Sequence, residues 1–537
     1  MFRQFFRDEG GYALTLMLLF LPVFVGIGLL VVDIGRGNNA QSDLQAAADA
    51  LALAGARELD GRVGAIDDAK AAMERVSNRV GFLSVAEKAP VVLTYDADDT
   101  DARPFFVAFL RAIPGDIDPA TGDPVPGNDD TPIDSAFVAT YAATGDAATQ
   151  DQFARYVLVQ VRSDDLDPLF FLPLTRTAEN VPIAATAVAT LRESTCELAP
   201  IFICNPIAGS GNGEEFAQKV KDGEFHGRLI KLDAKPNSSG LKPGNVGFLR
   251  TLGKGAPPLA QALAGAPLNE CVDTDSLLET QPGAVNSVWD AFNTRFDIYK
   301  DTSGDWSRTG ISPPALNVRK AYDFKDNQGR LQLCGKPYSP TGRPSERLTK
   351  LSEWYAQNPI YSDNRDADTE FDFDGTNSGD SVRKGIWNLL EPVTVKGVTY
   401  PAYWPTLYPG EPFDEEKVTT REGFFPSRYD VYLHELSLGL QSTLSPGGES
   451  GSNQCYDPEK GQPAFDDEDR RTMFVAVIDC TGLSGNSDQI KAQFWAEVFL
   501  VHPGQGDTLN IELIDISGPV SNGAVDKYLR AEAILVR

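Results

Sequence analysis

The sequence predicts an α+β protein: an N-terminal transmembrane helix and a long α-helix lead into a small α+β domain, then a larger loop-rich, β-rich domain. Three observations carry that reading. An uncharged apolar run fills Tyr12 to Val32, an Ala-rich stretch of helical spacing follows it, and strand-like patterns take over after Pro90.

Tyr12 to Val32 holds 21 residues without a charge. At a rise of about 1.5 Å per residue, a helix of that length covers about 31 Å, the thickness of a bilayer's hydrocarbon core. A buried helix of a soluble protein would show a polar face, and here only Tyr12 and Thr15 interrupt the apolar surface. Pro22 would break most soluble helices, whereas membrane helices tolerate it when neighbouring groups satisfy the freed carbonyl. The rival reading is a cleaved secretory signal with Arg3 and Arg7 as its basic head. A signal's apolar core runs about 7–15 residues and ends at a small-x-small site. This one is longer, and Asp33 and Arg36 follow at once. Because Arg3 and Arg7 precede the run and only Arg36 lies close behind, the positive-inside bias favours a cytoplasmic N-terminus, with the bulk of the chain outside the cytoplasm.

A chain of 537 residues exceeds one ordinary core, so two or three domains follow the span. With 42% hydrophobic and 23% charged residues it reads as folded protein. Its net charge of −28 argues against nucleic-acid binding, which needs Lys and Arg clustered on one face. Solubility outside the cytoplasm explains the acidity. All six cysteines, Cys196, Cys204, Cys271, Cys334, Cys455 and Cys480, lie beyond the span. An even count in an exported region permits three disulfides, with about 15 possible pairings. Free buried thiols are the alternative, and no C-x-x-C spacing suggests zinc.

Residues 1–11 form a short mixed-charge head, expected in the cytoplasm, and 12–34 the transmembrane helix. In the helical segment 35–82, Leu44, Ala48, Leu51 and Gly55 recur at helical spacing on one stripe, and eight of the eleven residues from Ala46 to Ala56 are Ala or Gly. Such small side chains let another backbone approach, which predicts a packing face against a partner helix. The plainer alternative is that Ala is simply a good helix former. A second helix is expected from about Ala65 to Val80.

These residues carry a family resemblance. The apolar run followed by VVDIGRGNNAQSDLQAAADALALAGA resembles the N-terminal segment of TadE/TadG-like Flp pilus-assembly proteins. The matching positions are Asp33, Arg36, Leu44 to Ala50 and Leu53 to Ala56. The resemblance covers about a tenth of the chain. It implies a single-pass protein of the bacterial inner membrane with its bulk in the periplasm, part of the tight-adherence secretion system. It also implies that Asp33, Arg36, Leu44, Ala48, Leu51 and Gly55 lie on the membrane and partner helix.

Residues 83–195 read as a small, pilin-like α+β domain, with strands at Val91–Tyr95, Tyr156–Ser163 and Val181–Leu191 rich in β-branched residues. PLFFLPL, Pro168–Leu174, reads as a short helix or turn packed on the sheet, and Gly115–Asp134 as a surface loop. Residues 196–537 form the loop-rich, β-containing domain. In it Arg470–Cys480 and Ala492–Val501 read as adjacent core strands, and RYDVYLHEL, Arg428–Leu436, as a strand holding a packed His434. Asn293–Tyr299 and the Arg470–Cys480 segment are similar to one TadG-like C-terminal branch.

Chemistry-bearing motifs are sparse. A von Willebrand A metal site needs Asp-x-Ser-x-Ser after a strand. Asp301 to Asp305, Asp479 to Leu483 and Asp515 to Pro519 each fail that pattern. Glu370, Asp372 and Asp374 mimic the first, third and fifth positions of a Ca²⁺ loop, but Ser381 stands where the twelfth-position carboxylate belongs. That stretch reads as a solvated acidic turn, with a weak Ca²⁺ site as the alternative and no other cofactor expected. His226, His434 and His502 lie in no nucleophile or metal motif. The expectation is a non-enzymatic, membrane-anchored component of Flp pilus assembly, acting through contacts with other pilus-assembly proteins in the periplasm. No small-molecule substrate is evident. The alternative is an extracytoplasmic binding or adhesion protein using a TadG-like anchor.

Overall fold

The apolar run and the Ala-rich stretch form a single element. α1 runs unbroken from Tyr12 to Ala56, 45 residues with Pro22 inside it, or about 67 Å at the helical rise. Gly35 and Gly37, where a break between span and second helix would be placed, lie within the helix. The computed structural model describes residues 12–80, 91–97, 105–166, 181–207, 212–233, 241, 245–250, 256–264, 271–281, 291–297, 313–318, 387–418, 424–439, 469–483, 489–503 and 508–537, apart from 119, 121–122, 129, 146, 275, 396–397, 502 and 519. The chain divides into two units, Met1–Arg192 with Ala531–Arg537, and Glu193–Arg530.

In the first unit α1 ends in a tight turn, and α2 (Ala65–Glu74) follows Gly64, whose φ of 98° suits glycine. The second helix is shorter than its periodicity predicts, because Ser77–Val80 leaves it to form β1. β1 pairs antiparallel with β2 (Val91–Thr94). β3 (Phe105–Leu110), the short helices α3 (Ser135–Tyr141) and α4 (Ala147–Phe153), β4 (Tyr156–Leu166) and β5 (Val181–Thr195) complete this half. β3, β4 and β5 form an antiparallel meander with Phe105 opposite Val161 and Tyr156 opposite Thr190. One sheet face buries Val157, Val159, Val161, Ala185, Ala187 and Ala189 under α1. The other buries Leu158 and Val188 with Leu110 and Ile113 beside α3. Pro168–Leu174 lies outside the described residues.

β5 runs on past Arg192 into the second unit. That unit contains β6 (Leu198–Cys204), α5 (Gly213–Lys221), β7 (Ile230–Asp233), β8 (Val246–Leu249), α6 (Ala256–Leu263), β9 (Val272–Asp273) and β10 (Leu278–Gln281). After the small hairpin β11 (Val393–Val395) and β12 (Val398–Tyr400) come α7 (Tyr403–Leu407) and α8 (Arg428–Leu438). β13 (Thr472–Ile478), β14 (Gln489–Ile490), β15 (Ala492–Leu500) and β16 (Thr508–Ile516) end it. Eight of these strands make one sheet in the order β14-β10-β8-β6-β13-β15-β16-β7. Only the central pair β6 and β13 is parallel. Both are buried along their whole length, as strands covered on two faces must be. β13 and β15 are adjacent, as their apolar sequences predict.

RYDVYLHEL is helix, not strand. Ser427 and Asp430 form a reciprocal capping box at the start of α8, and Gly439, in the left-handed region, stops it. The buried positions Arg428, Val431, Tyr432 and Glu435 follow a helical period, which the β-branched and aromatic composition masked.

The chain then returns to the first unit. β17 (Arg530–Leu535) pairs beside β5, giving the order β17-β5-β4-β3. Beyond it Val536 N–H donates to Val188 O at 2.8 Å, and Val188 N–H to Arg537 O at 2.9 Å. The sequence reading kept 196–537 together, whereas 531–537 belong to the first unit. The second unit is therefore an insertion between two neighbouring strands of one sheet.

Candidate membrane helix and its seat in the first unit

α1 changes character along its length. From Leu16 to Ile34 its apolar side chains stand free of the protein, Leu18 being 66% and Phe24 70% exposed. Leu44, Ala48 and Leu51 are 0% exposed. Exposed Leu, Phe and Val over five turns cost about 25 cal/mol per Å² in water and nothing in hydrocarbon, so the first half has the surface of a lipid-facing helix. By length and composition the helix could cross a membrane. Arg36 is half-buried where the two halves meet, and Asp33 falls within the helix one turn before it.

The stripe Leu44, Ala48, Leu51 and Gly55 does come together on one face, but a partner helix is not what it covers. It packs in the core formed with β4 and β5. A methyl at Gly55 would come within 2.8 Å of Met73 Sδ and 3.3 Å of Val157 Cγ2, so this glycine permits the close approach of α2 and β4. The small-residue run is met by another, Ala185, Ala187 and Ala189 on β5. Ala against Ala brings helix and sheet together, and the chain's own sheet takes the place expected for a partner. Gln45 locks the seat: its Nε2 donates to Thr186 O at 2.9 Å and to Asp49 Oδ1 at 2.7 Å. On the far side, the Asp151 carboxylate of α4 accepts from Gly64 N–H at 2.6 Å and Ile66 N–H at 3.1 Å, capping α2. Arg111 donates through Nε to both Asp118 oxygens, and this pairing holds the Asp118 carboxyl below the usual carboxylate range.

Among the cysteines, Cys196 bonds Cys271 and Cys204 bonds Cys480. Both bridges lie in the second unit. Cys334 and Cys455 lie outside the described residues, as do Glu370, Asp372 and Asp374, Asp301 to Asp305 and His502. Among the described residues no group of three His, Cys, Asp or Glu is placed to hold a metal ion. Asp515 accepts from Ser521 Oγ, Asn522 N–H and Val525 N–H, bracing the turn after β16. Asp479 accepts from Thr481 N–H of its own loop.

Sequence reasoning missed the buried charges of the second unit. Arg428 and Glu512, 0% and 1% exposed, meet at 2.6 Å. Glu512 also accepts the first amides of α8 from Arg428 and Tyr429. Arg471 donates to the Leu500, Val501 and Asn317 carbonyls between the rings of Phe296, Tyr432 and Phe499. Glu435 accepts from Asn317 Nδ2 and Tyr403 Oη. On β15, burial pushes the Glu497 carboxyl up while Lys527 and Tyr528 pull it down. These groups hold loops to the sheet, and the only trace they leave in sequence is the Arg470-Arg471 pair ahead of an apolar strand.

The geometry thus defines a protein with one N-terminal helix long and apolar enough to cross a membrane, whose continuation is the core of an α+β unit. Residues 10–58, nearly all of α1, match the model of the Tad family of Flp pilus-assembly TadE/G-like proteins. The chain is also 38% identical over 47 residues to an A-type ATP synthase polypeptide of Thermoplasma volcanium, across 9% of this chain and 6% of that protein. So small a share of that relative carries no activity across. No solved structure matches.

Proposed function

We propose that this protein is a non-enzymatic, single-span component of Flp pilus assembly. It sits in the inner membrane with its N-terminus cytoplasmic and works through contacts with other pilus-assembly proteins in the periplasm. The observation that carries the reading is the coincidence of the Tad match, residues 10–58, with one helix of two surfaces, lipid-like before Gly35 and buried after Asn39. The helix fixes the unit at the membrane, and the two units supply the surfaces that partners meet. No cofactor is assigned.

The test is genetic. Deleting the gene should abolish Flp pili on the cell surface, and the full chain should restore them. A version exported by a cleavable signal in place of residues 12–34 should not restore them. Normal piliation in the deletion strain would overturn the reading and favour an anchored adhesion protein.

A further inference from the structure

The seat of α1 fixes which end of the first unit faces the bilayer. Gln45 bonds Thr186 O, and ten residues further on Gly55 lies against Val157, whose partner on β5 is Ala189. α1 and β5 therefore run in the same direction. Counting back from Gln45, the ten residues to Gly35 span about 15 Å. Counting back from Thr186, the five residues to Val181 span about 17 Å. The rim of the sheet where Leu166 pairs with Val181 is thus level with the point where the exposed apolar surface of α1 ends. Only Gly35 to Asn39, about 8 Å of continuous helix, separates that surface from the first fully buried residue, Ala40.

We infer that this rim rests on the headgroups of the periplasmic leaflet, with Arg162 of β4 and Ala184 of β5, exposed on the face away from α1, at headgroup depth. The occupant is a lipid surface because the rim continues the level of the apolar helix surface. A rigid helix without a linker leaves the unit no room to stand off. Asn38, Asn39, Gln41 and Ser42 are exposed polar residues on the same turns and suit the hydrated zone between phosphates and protein. The inference rests on the membrane-anchor reading above and goes beyond it by orienting the unit: the strands stand upright, and the α1–α2 turn at Val63, 72% exposed, points away from the membrane.

The test is depth measurement on the full chain in nanodiscs of phosphatidylethanolamine and phosphatidylglycerol. Nitroxides are attached through a genetically encoded ketone residue at Leu21, Ala184 or Val63, leaving the cysteines intact, and power saturation compares oxygen with a soluble nickel chelate. The Leu21 label should favour oxygen strongly. The Ala184 label, with Arg162 as a second position, should be at least about three-fold less accessible to nickel than the Val63 label. Equal nickel accessibility at Ala184 and Val63, with Leu21 still in lipid, would overturn the rim contact while leaving the anchor in place. A nickel-accessible Leu21 label would overturn the anchor itself and the rim contact with it.

Discussion

Ala48 and Gly55 set the distance between α1 and its sheet, and their roles could only be half read from sequence. Helical spacing showed the stripe, but spacing does not say what covers it, and a sheet built from Ala185, Ala187 and Ala189 is a long way off in sequence. Adding three heavy atoms by Ala48→Leu should destabilise the first unit by about 1–3 kcal/mol. Ala46→Leu, on the exposed side, should be nearly silent. Amide exchange across β4 and β5 reads the difference, and equal behaviour of the two variants would refute the packing. His434 shows the same limit, since its burial was expected on a strand and occurs on a helix. It packs against Trp404 and Phe413 with Asp414, Glu435 and Lys417 around it. Burial, the dominant effect, lowers its pKa below the ordinary 6.5. The neutral ring's contribution is therefore complete above about pH 6.5 and is lost as the pH falls toward the folded value. Wild type should lose more stability than His434→Gln between pH 7 and 5 in denaturant titrations of the full chain. Parallel pH profiles would contradict that.

Elements with strong local signals were legible: the apolar helix, β4, β5, β13 and β15 all lie where alternation or apolar runs put them. What was not legible is non-local pairing. Nothing in Arg530 to Arg537 announces that it returns across more than 300 residues to lie beside Val188, where Arg537 also donates to Thr131 O at 2.6 Å and Asn128 O at 2.8 Å. Ending the chain after Leu529 should expose one flank of β5, so its amides and those of α1 should lose protection by ten-fold or more while β13 keeps its own. Unchanged exchange in β5 would show that the return strand is dispensable. The disulfides are of the same kind, since six cysteines gave the count but not the connectivity. Peptide mapping without reduction should find Cys196–Cys271 and Cys204–Cys480, which leaves Cys334 and Cys455 only one another within the chain. Closing loops of 75 and 276 residues, each bridge should contribute roughly 4–5 kcal/mol by restricting the unfolded chain. Alkylatable thiols in freshly isolated protein would contradict this.

At the scale of the whole molecule, the insertion explains why domain boundaries were hard to place. Composition changes near Cys196, close to where the chain leaves the first unit at Arg192, but the return at Ala531 has no compositional mark. The first unit is finished only when the last strand arrives, so a chain exported N-terminus first must carry the whole second unit across before its membrane-proximal sheet is complete. The central claim is that one uninterrupted helix both crosses the bilayer and forms the core of the first unit. Hydrogen exchange with mass spectrometry on protein isolated from membranes into nanodiscs tests it most directly. Peptides covering residues 16–34, 35–39 and 40–56 should all be strongly protected, the joint as well as the two halves. Rapid exchange confined to 35–39, or absence of the first peptide because the chain has been cleaved, would contradict the account.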